Sequence, residues 1–410
     1  MIYFLLPKSY IYNYKSIVFL DSEEPPNSCI SNSLSYYLSD IKKKINHHKN
    51  DWDNYKKYTN PYEYIHSIIP NKKKCISKYK PLSRSYFKMI EIMNTFKLKD
   101  FYLENSREII GEPRLILKSR NIPIKTFHLA EGPGGFIEAL IEIRKNPNDT
   151  YIGMTILDNN NDYNIPAWKK SQTFLNNNPN VIIEDGADGT GNILSLENFV
   201  YCKEKYASSM DIITADGGFD FSVDFNNQEI TISKLLFAQI SFALCIQKKN
   251  GCFILKIFDS FMQHTIDLLY ILSSFYEKVY ITKPQTSRYA NSEKYIVCKK
   301  FLFSNCNDFF PFLYNAFEKM MNSDKYVFRF INDSIPNYFL MKLEEYNSIF
   351  GQQQIENIYY TISLIETKNK ADKIDMLIKN NIQKSTNWCI KYNVPYNVIS
   401  NNINIFLGST

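Results

Sequence analysis

Three charged residues and one glycine turn stand where proton transfer and ligand binding could meet. Lys256 lies near the end of Gly251 to Asp259, Gly-Cys-Phe-Ile-Leu-Lys-Ile-Phe-Asp, a run that reads as a buried strand. An ammonium buried there is costly unless something pairs with it. Either its head reaches water at the strand mouth, or it serves a site at the strand end. Asp216 follows the apolar run Asp211 to Ala215, and Gly217 and Gly218 clear space beside it. The alternative use of Asp216 is to cap the next segment. Glu293 closes the polar stretch Thr282 to Glu293 where another strand begins, which an ordinary surface hairpin would also explain.

The glycine turn is Glu131-Gly132-Pro133-Gly134-Gly135-Phe136. It follows the short strand Phe127 to Ala130 and opens the amphipathic run Ile137 to Arg144. Glycines let a backbone approach a ligand closely, and a helix start offers free N–H groups and positive potential. The pattern is neither Gly-x-Gly-x-x-Gly nor a P-loop, so a dinucleotide pyrophosphate is not its natural guest.

The elements that must position these groups alternate. Strands are expected at Tyr151 to Ile156, Val181 to Ile183, Asp211 to Ala215, Gly251 to Ile257, Val279 to Thr282 and Lys294 to Cys298. Helices fit Glu229 to Lys248 and Phe261 to Phe275. Such alternation predicts a mostly parallel sheet covered on both faces, with ligands at the carboxyl ends of its strands. Ser83 to Ile92 begins a further helix, with Ser83 as N-cap and Phe87, Ile90 and Met93 at helical spacing. Residues 1 to about 35 read as a short hairpin, or a strand and a loop. Residues 42 to 88 carry a run of lysines, Lys42 to Lys44 and Lys72 to Lys74 among them, against only Asp51, Asp53 and Glu63. That run is either a solvated helix face or a wall for phosphates with interleaved tyrosines. From about Phe309 the pattern turns helical, best at Leu343 to Ile362 and Ala371 to Lys391, as a packing or partner-binding appendage.

The chain has 410 residues, 44% hydrophobic and 22% charged, with a net charge of +6. That balance is ordinary for a globular protein and permits an anionic partner without demanding one. Eight scattered cysteines form no Cys-x-x-Cys pair, and five histidines supply no metal spacing. The expectation is no metal and a reducing intracellular compartment: cytoplasm, nucleus or a site of cytoplasmic viral transcription. No apolar run of about 18 residues stands out, so no membrane span is expected.

Together these motifs resemble the FtsJ-type (RrmJ-type) ribose 2′-O-methyltransferases. Ser-Arg-Ser-Tyr-Phe-Lys88-Met-Ile-Glu-Ile is similar to the family's first lysine motif, and Leu129 to Phe136 to its cofactor loop. Ala-Asp216-Gly-Gly-Phe, the strand with Lys256, and Lys-Pro-x-x-Ser-Arg-x-x-x-Ser-Glu293 supply the rest of a Lys-Asp-Lys-Glu tetrad in the family's order. Asp188-Gly-Thr-Gly-Asn-Ile, and Asn226-Asn-Gln-Glu after the Asp216 motif, are similar to the mRNA-cap branch. His128 departs from the family, which often has an acid there.

The resemblance implies a Rossmann-like α/β methyltransferase fold with a mostly parallel seven-stranded sheet and helices on both faces. It implies a basic extension over 1–80, an RrmJ-type domain over 81–308 and a helical region over 309–410. The cofactor would be S-adenosyl-L-methionine, held by Ser83, Glu131, Gly132, Pro133, Gly134, Gly135, Phe136, Asp188 and Gly189. The substrate would be the ribose 2′-hydroxyl of capped RNA at its first or second transcribed nucleotide, contacted by Asn226 and Arg288. Lys88, Asp216, Lys256 and Glu293 would be catalytic, with Lys256 as general base and the two acids orienting the lysines. Those acids favour charged lysine while burial and neighbouring cations oppose it, so the sites titrate together. A ribosomal or transfer RNA 2′-O-methyltransferase and an inactive RNA-binding scaffold are the alternatives. Capping or transcription proteins are candidate partners of the C-terminal region.

Overall fold

Uninterrupted apolar and β-branched runs become the strands of one large sheet. The computed structural model describes residues 1–11, 13–98, 122–157, 167–218 and 226–399. Its strands are β1 (Ile2–Leu5), β2 (Ile17–Ser22), β3 (Lys125–Leu129), β4 (Thr150–Met154), β5 (Val181–Ile183), β6 (Met210–Ala215), β7 (Gln247–Ile257), β8 (Tyr276–Lys283), β9 (Lys294–Phe301) and β10 (Tyr326–Ile331). The main sheet has eight strands in the order β1-β8-β9-β7-β6-β3-β4-β5. Pairs from β7 through β6, β3 and β4 to β5 are parallel; β9 enters antiparallel to β7, and β8 and β1 follow antiparallel. The centre, β6, is buried at every residue, as a strand covered on both faces must be.

Two expectations are corrected here. The sheet has an eighth strand because β1 pairs with β8, Ile2 opposite Lys283, rather than folding back as a hairpin. β2 pairs instead with β10 in a separate two-stranded sheet, so the region after Phe309 is not purely helical.

The helices are α1 (Asn32–Lys44), α2 (Lys49–Tyr58), α3 (Ser85–Thr95), α4 (Gly135–Arg144), α5 (Gln172–Asn177), α6 (Leu196–Tyr206), α7 (Gln228–Ile246), α8 (Gln263–Phe275), α9 (Phe310–Met321), α10 (Asn337–Glu366) and α11 (Ala371–Lys391). Among the described residues α7 is long and apolar enough to cross a membrane, but 83% of that stretch is buried inside the protein. Its polar residues Thr231, Ser233, Lys234 and Gln239 break the run, which is why the sequence shows no unbroken span. Phe237 of α7 stacks on Phe330 of β10 with centroids 4.4 Å apart, so the helix is core rather than membrane anchor.

The chain divides into two compact units, one of Met1–His47 with Leu82–Ile358 and one of His48–Pro81 with Tyr359–Thr410. The boundaries expected at 80 and 308 therefore do not describe these units. The first 47 residues join the large unit because β1 and β2 complete its sheets. In that unit Lys42, the start of the basic run, is buried and donates to Asp259 Oδ2 at 3.1 Å, so it is no part of a solvated face. The smaller unit joins two segments distant in sequence: Asn381 donates to the Tyr58 carbonyl (2.7 Å), and Lys78 N–H to that of Pro395 (2.9 Å).

Candidate active site

Strand ends bring the charged groups together. Asp216 follows the last residue of β6, and Lys256 is the penultimate residue of β7. Because β9 runs antiparallel to β7, its beginning lies beside the end of β7, with Tyr295 paired to Lys256. Glu293 thus arrives at the same rim from the opposite chain direction. Lys88 reaches it from α3, which is buried from Tyr86 to Met93.

Two ion pairs result. Lys88 Nζ lies 2.7 Å from Glu293 Oε1, and both side chains are at most 10% exposed. Lys256 Nζ donates to the Asp216 carbonyl at 2.6 Å and lies 3.3 Å from Asp216 Oδ1. Tyr295 joins them: its hydroxyl donates to Asp216 Oδ1 (2.8 Å) and accepts from Lys88 (3.4 Å). A continuous chain therefore runs Glu293, Lys88, Tyr295, Asp216, Lys256. Among the described residues the Asp216 carboxylate is taken by Tyr295 and Lys256 rather than by a helix start.

Burial lowers the Lys88 pKa despite the opposing charges of Glu293 and Asp216. Burial also works against the Glu293 carboxylate, but the Lys88, Lys256 and Arg84 cations hold its pKa well below the usual range. Burial, then the charges of Asp216 and Glu293, push the Tyr295 hydroxyl upward, so it stays a protonated donor.

The glycine turn lies at the end of β3, next to β6, where strand order reverses direction. Such a switch point is where open α/β sheets bind ligands. Gly134 has φ +100° at the N-cap of α4, a conformation that a side chain resists. A Cβ on Gly135 would collide with the hydroxyls of Ser83 and Ser85, and one on Gly132 with the Ala167 carbonyl. Neither of these two positions has room for a side chain. Pro133 accepts from Ser171 Oγ through its carbonyl (2.6 Å), and the buried Phe136 ring packs 5.9 Å from that of Tyr295.

Residues 81–301 match the FtsJ-like methyltransferase family. The chain belongs to the FtsJ-like methyltransferase family. Among curated relatives, the human cap-specific mRNA (nucleoside-2′-O-)-methyltransferase 1 is 33% identical over 246 residues, covering 58% of this chain and 27% of the relative. A protein of the same name from Leishmania braziliensis is 34% identical over 235 residues, covering 54% of this chain and 53% of the relative. The chain thus matches about a quarter of the human relative's length and about half of the Leishmania one's. A solved structure of a putative ribosomal RNA methyltransferase from Plasmodium falciparum is 21% identical with a TM-score of 0.34, covering 54% of this chain and 98% of that one.

The FtsJ-like cofactor, S-adenosylmethionine, fits what the described residues offer. Asp188 and Gly189 lie on the exposed loop after β5. A Cβ on Gly189 would meet nothing within 4 Å, so the space beside it is open. Asp188 Oδ1 is already held by the Thr190 N–H (2.9 Å) and Asn198 Nδ2 (2.8 Å), which fix the loop. Glu131 turns inward: it is buried, accepts from the Thr214 hydroxyl and lies 3.3 Å from His128 Nδ1. Ser83 stands two residues before the helix, with Arg84 at the N-cap, so the N-cap expected at Ser83 is not observed. Ser83 and Ser85 instead share a hydroxyl hydrogen bond beside Gly135.

Asn226 precedes α7, whose Gln228 accepts from Ser292 Oγ at 2.7 Å in the loop leading to Glu293. Arg288 lies half-buried in that same loop. Phe219, the last residue of the Asp216 motif, is outside the described residues.

Sequence reasoning missed the residues that hold this FtsJ-like site in shape. Tyr295 looks like any strand aromatic, and only its register with Lys256 reveals it. Glu91, one helical turn beyond Lys88, accepts the N–H groups of Gln285 and Thr286, each at 2.8 Å. Lys283, buried, donates to the Asn291 and Glu293 carbonyls at 2.6 and 2.8 Å; burial lowers its pKa to about 7. Ser287 Oγ donates to Glu293 Oε1 at 2.8 Å. The lysine–glutamate spacing at 88 and 91 on one helix face was the available signal.

Proposed function

We propose that this chain methylates a ribose 2′-hydroxyl of RNA, in a capped transcript at its first or second nucleotide. The observation that carries the reading is the joined pair of ion pairs at the strand ends, beside the glycine turn. The names of the relatives supply the substrate class.

A ribose hydroxyl is a weak nucleophile and needs its proton removed in the transition state. Lys256, as the free amine left once its ammonium has given a proton to solvent, takes the hydroxyl proton on Nζ as the oxygen–methyl bond forms. Its side chain is 12% exposed, against 6% for Lys88, so it is the more accessible amine. Asp216 holds Lys256 in place through both its carbonyl and its carboxylate. Lys88 and Glu293, more deeply buried, fix the rim and Tyr295. When bound, S-adenosylmethionine supplies a methyl group on a sulfonium that departs as a neutral sulfide. Gly134, Asp188 and Gly189 would hold it, and Asn226 and Arg288 would face the RNA. Positioning the reacting atoms supplies much of the rate.

The test is transfer of labelled methyl to a short capped RNA and its uncapped twin, followed by mapping of the modified nucleotide. Transfer to the 2′-oxygen of the capped RNA alone is expected. Lys256→Ala should abolish it and keep binding of the demethylated cofactor. Equal transfer to both RNAs would favour a ribosomal or transfer RNA enzyme, and none from the intact chain a scaffold role.

A further inference from the structure

The smaller unit carries a charge that the whole-chain figure hides. Its two segments hold fourteen lysines, no arginine and six acidic residues, a net charge of +8. Since the chain totals +6, the larger unit is at −2. Neither the N-terminal nor the C-terminal segment alone accounts for this; folding adds them together.

Three of this unit's six acids are engaged within it. Glu63 is fully buried and accepts from Asn60 Nδ2 and Ser67 Oγ at 2.7 and 2.8 Å. Asp53 pairs with Lys56, and Glu366 lies 3.3 Å from His48. By contrast Lys73, Lys74, Lys78 and Lys80 are exposed, and among the described residues none has a carboxylate partner. Between the last two stands Tyr79, 38% exposed. Its backbone is fixed on both sides by Ser77 Oγ, which accepts from Tyr79 N–H (3.0 Å) and donates to the Tyr79 carbonyl (2.9 Å). Ser77 is itself paired with Tyr396 from the other chain end. An exposed aromatic on a fixed backbone between unpaired cations is what single-stranded nucleic acid binds: bases stack and phosphates pair. Lysine without arginine favours point-charge contact with phosphate over bidentate readout, so binding would be independent of sequence.

We propose that this unit is a holding site for single-stranded RNA, with Lys73, Lys74, Lys78 and Lys80 on backbone phosphates and Tyr79 stacked on a base. The choice of RNA rests on the methylation reading, but the test does not use methyl transfer. The full chain is titrated, without cofactor, against an uncapped, unstructured RNA of about 30 nucleotides by fluorescence anisotropy. Salt is varied from about 50 to 200 mM. Replacing the four lysines together by glutamine should lower affinity at least tenfold. It should also flatten the log-affinity against log-salt slope by about 3, since each phosphate contact on a single strand contributes roughly 0.7. Tyr79→Ala should weaken binding roughly tenfold and leave the slope unchanged, because stacking releases no counterions. Circular dichroism melts confirm that the variants are folded.

A quadruple variant with wild-type slope overturns the proposal. So does tighter binding of the intact chain to an acidic polypeptide, or to phosphatidylserine vesicles, than to RNA. If the chain binds RNA with the expected slope but methylates none, the methylation reading fails and the holding site stands. If it methylates capped RNA and the slope does not change, the reverse holds.

Discussion

The Tyr295 hydroxyl sits between the two ion pairs, donating to Asp216 at 2.8 Å and accepting from Lys88 at 3.4 Å. Tyr295→Phe removes that link and keeps the ring against Phe136. Hydrogen bonds to charged groups contribute about 1.5–3 kcal/mol, but the longer of these two is weak. The expected result is kcat lower by roughly tenfold, about 1.4 kcal/mol of barrier, with KM values and melting temperature little changed. Steady-state methyl transfer measures this; a wild-type kcat would mean the bridge is idle.

Glu91 should act on the site without touching it. Its two carboxylate oxygens each accept one backbone N–H of the loop that ends in Glu293. Glu91→Gln leaves one acceptor for two donors, at a cost of about 1–3 kcal/mol for the orphaned group. Amide exchange at Gln285 and Thr286 should quicken, and kcat should fall while affinity for the demethylated cofactor holds. Unchanged exchange at both amides would rule out the clamp.

Glu229 makes stability depend on pH in a stated direction. Burial, then the charge of Asp259, raises its pKa to about 7. Between the unfolded value of about 4.3 and the folded one, the native state binds more protons. Stability from this group is therefore full below about pH 4.3 and declines as pH rises toward 7, by up to roughly 1.4 kcal/mol per unit. Glutamine at 229 can still accept from Phe261 N–H and Met262 N–H, which the native carboxylate does at 3.0 and 2.9 Å. Glu229→Gln should raise the melting temperature at pH 8 relative to wild type and leave it nearly unchanged at pH 5. Equal shifts at both pH values would exclude the titration.

The glycines should separate by what surrounds them. Alanine at Gly132 or Gly135 meets backbone or hydroxyl oxygens and should lower the melting temperature. Alanine at Gly189 has open space, although φ +70° is strained by about 1–2 kcal/mol. Its larger effect should fall on cofactor affinity, read by calorimetry with the demethylated product. Unaltered affinity there would put the cofactor away from this loop.

What could be read in advance was local. Lys256 and Asp216 announce themselves because each ends its own apolar strand, and a charge there is out of pattern. The glycine turn carries its strand and helix beside it. Lys88 had no such signal and needed the order of the motifs. Tyr295 and Glu91 become visible only through register and helix packing. Lys42 read as part of a solvated or phosphate-facing run because its partner Asp259 lies 217 residues away. The smaller unit was hidden for the same reason: its halves are distant in sequence, and composition does not report which distant segments meet.

The pairing of β1 with β8 sets an order of events during synthesis. The Thr282 hydroxyl donates to the Ile2 carbonyl across 280 residues. At ribosomal rates of roughly 5–20 residues per second, β1 waits about 14–56 s for its neighbour to emerge. Ile2, Tyr3 and Leu5 remain about half exposed even afterwards. Until β8 emerges, the nascent chain therefore carries β1 as an unpaired apolar strand, open to the chaperones that bind such segments.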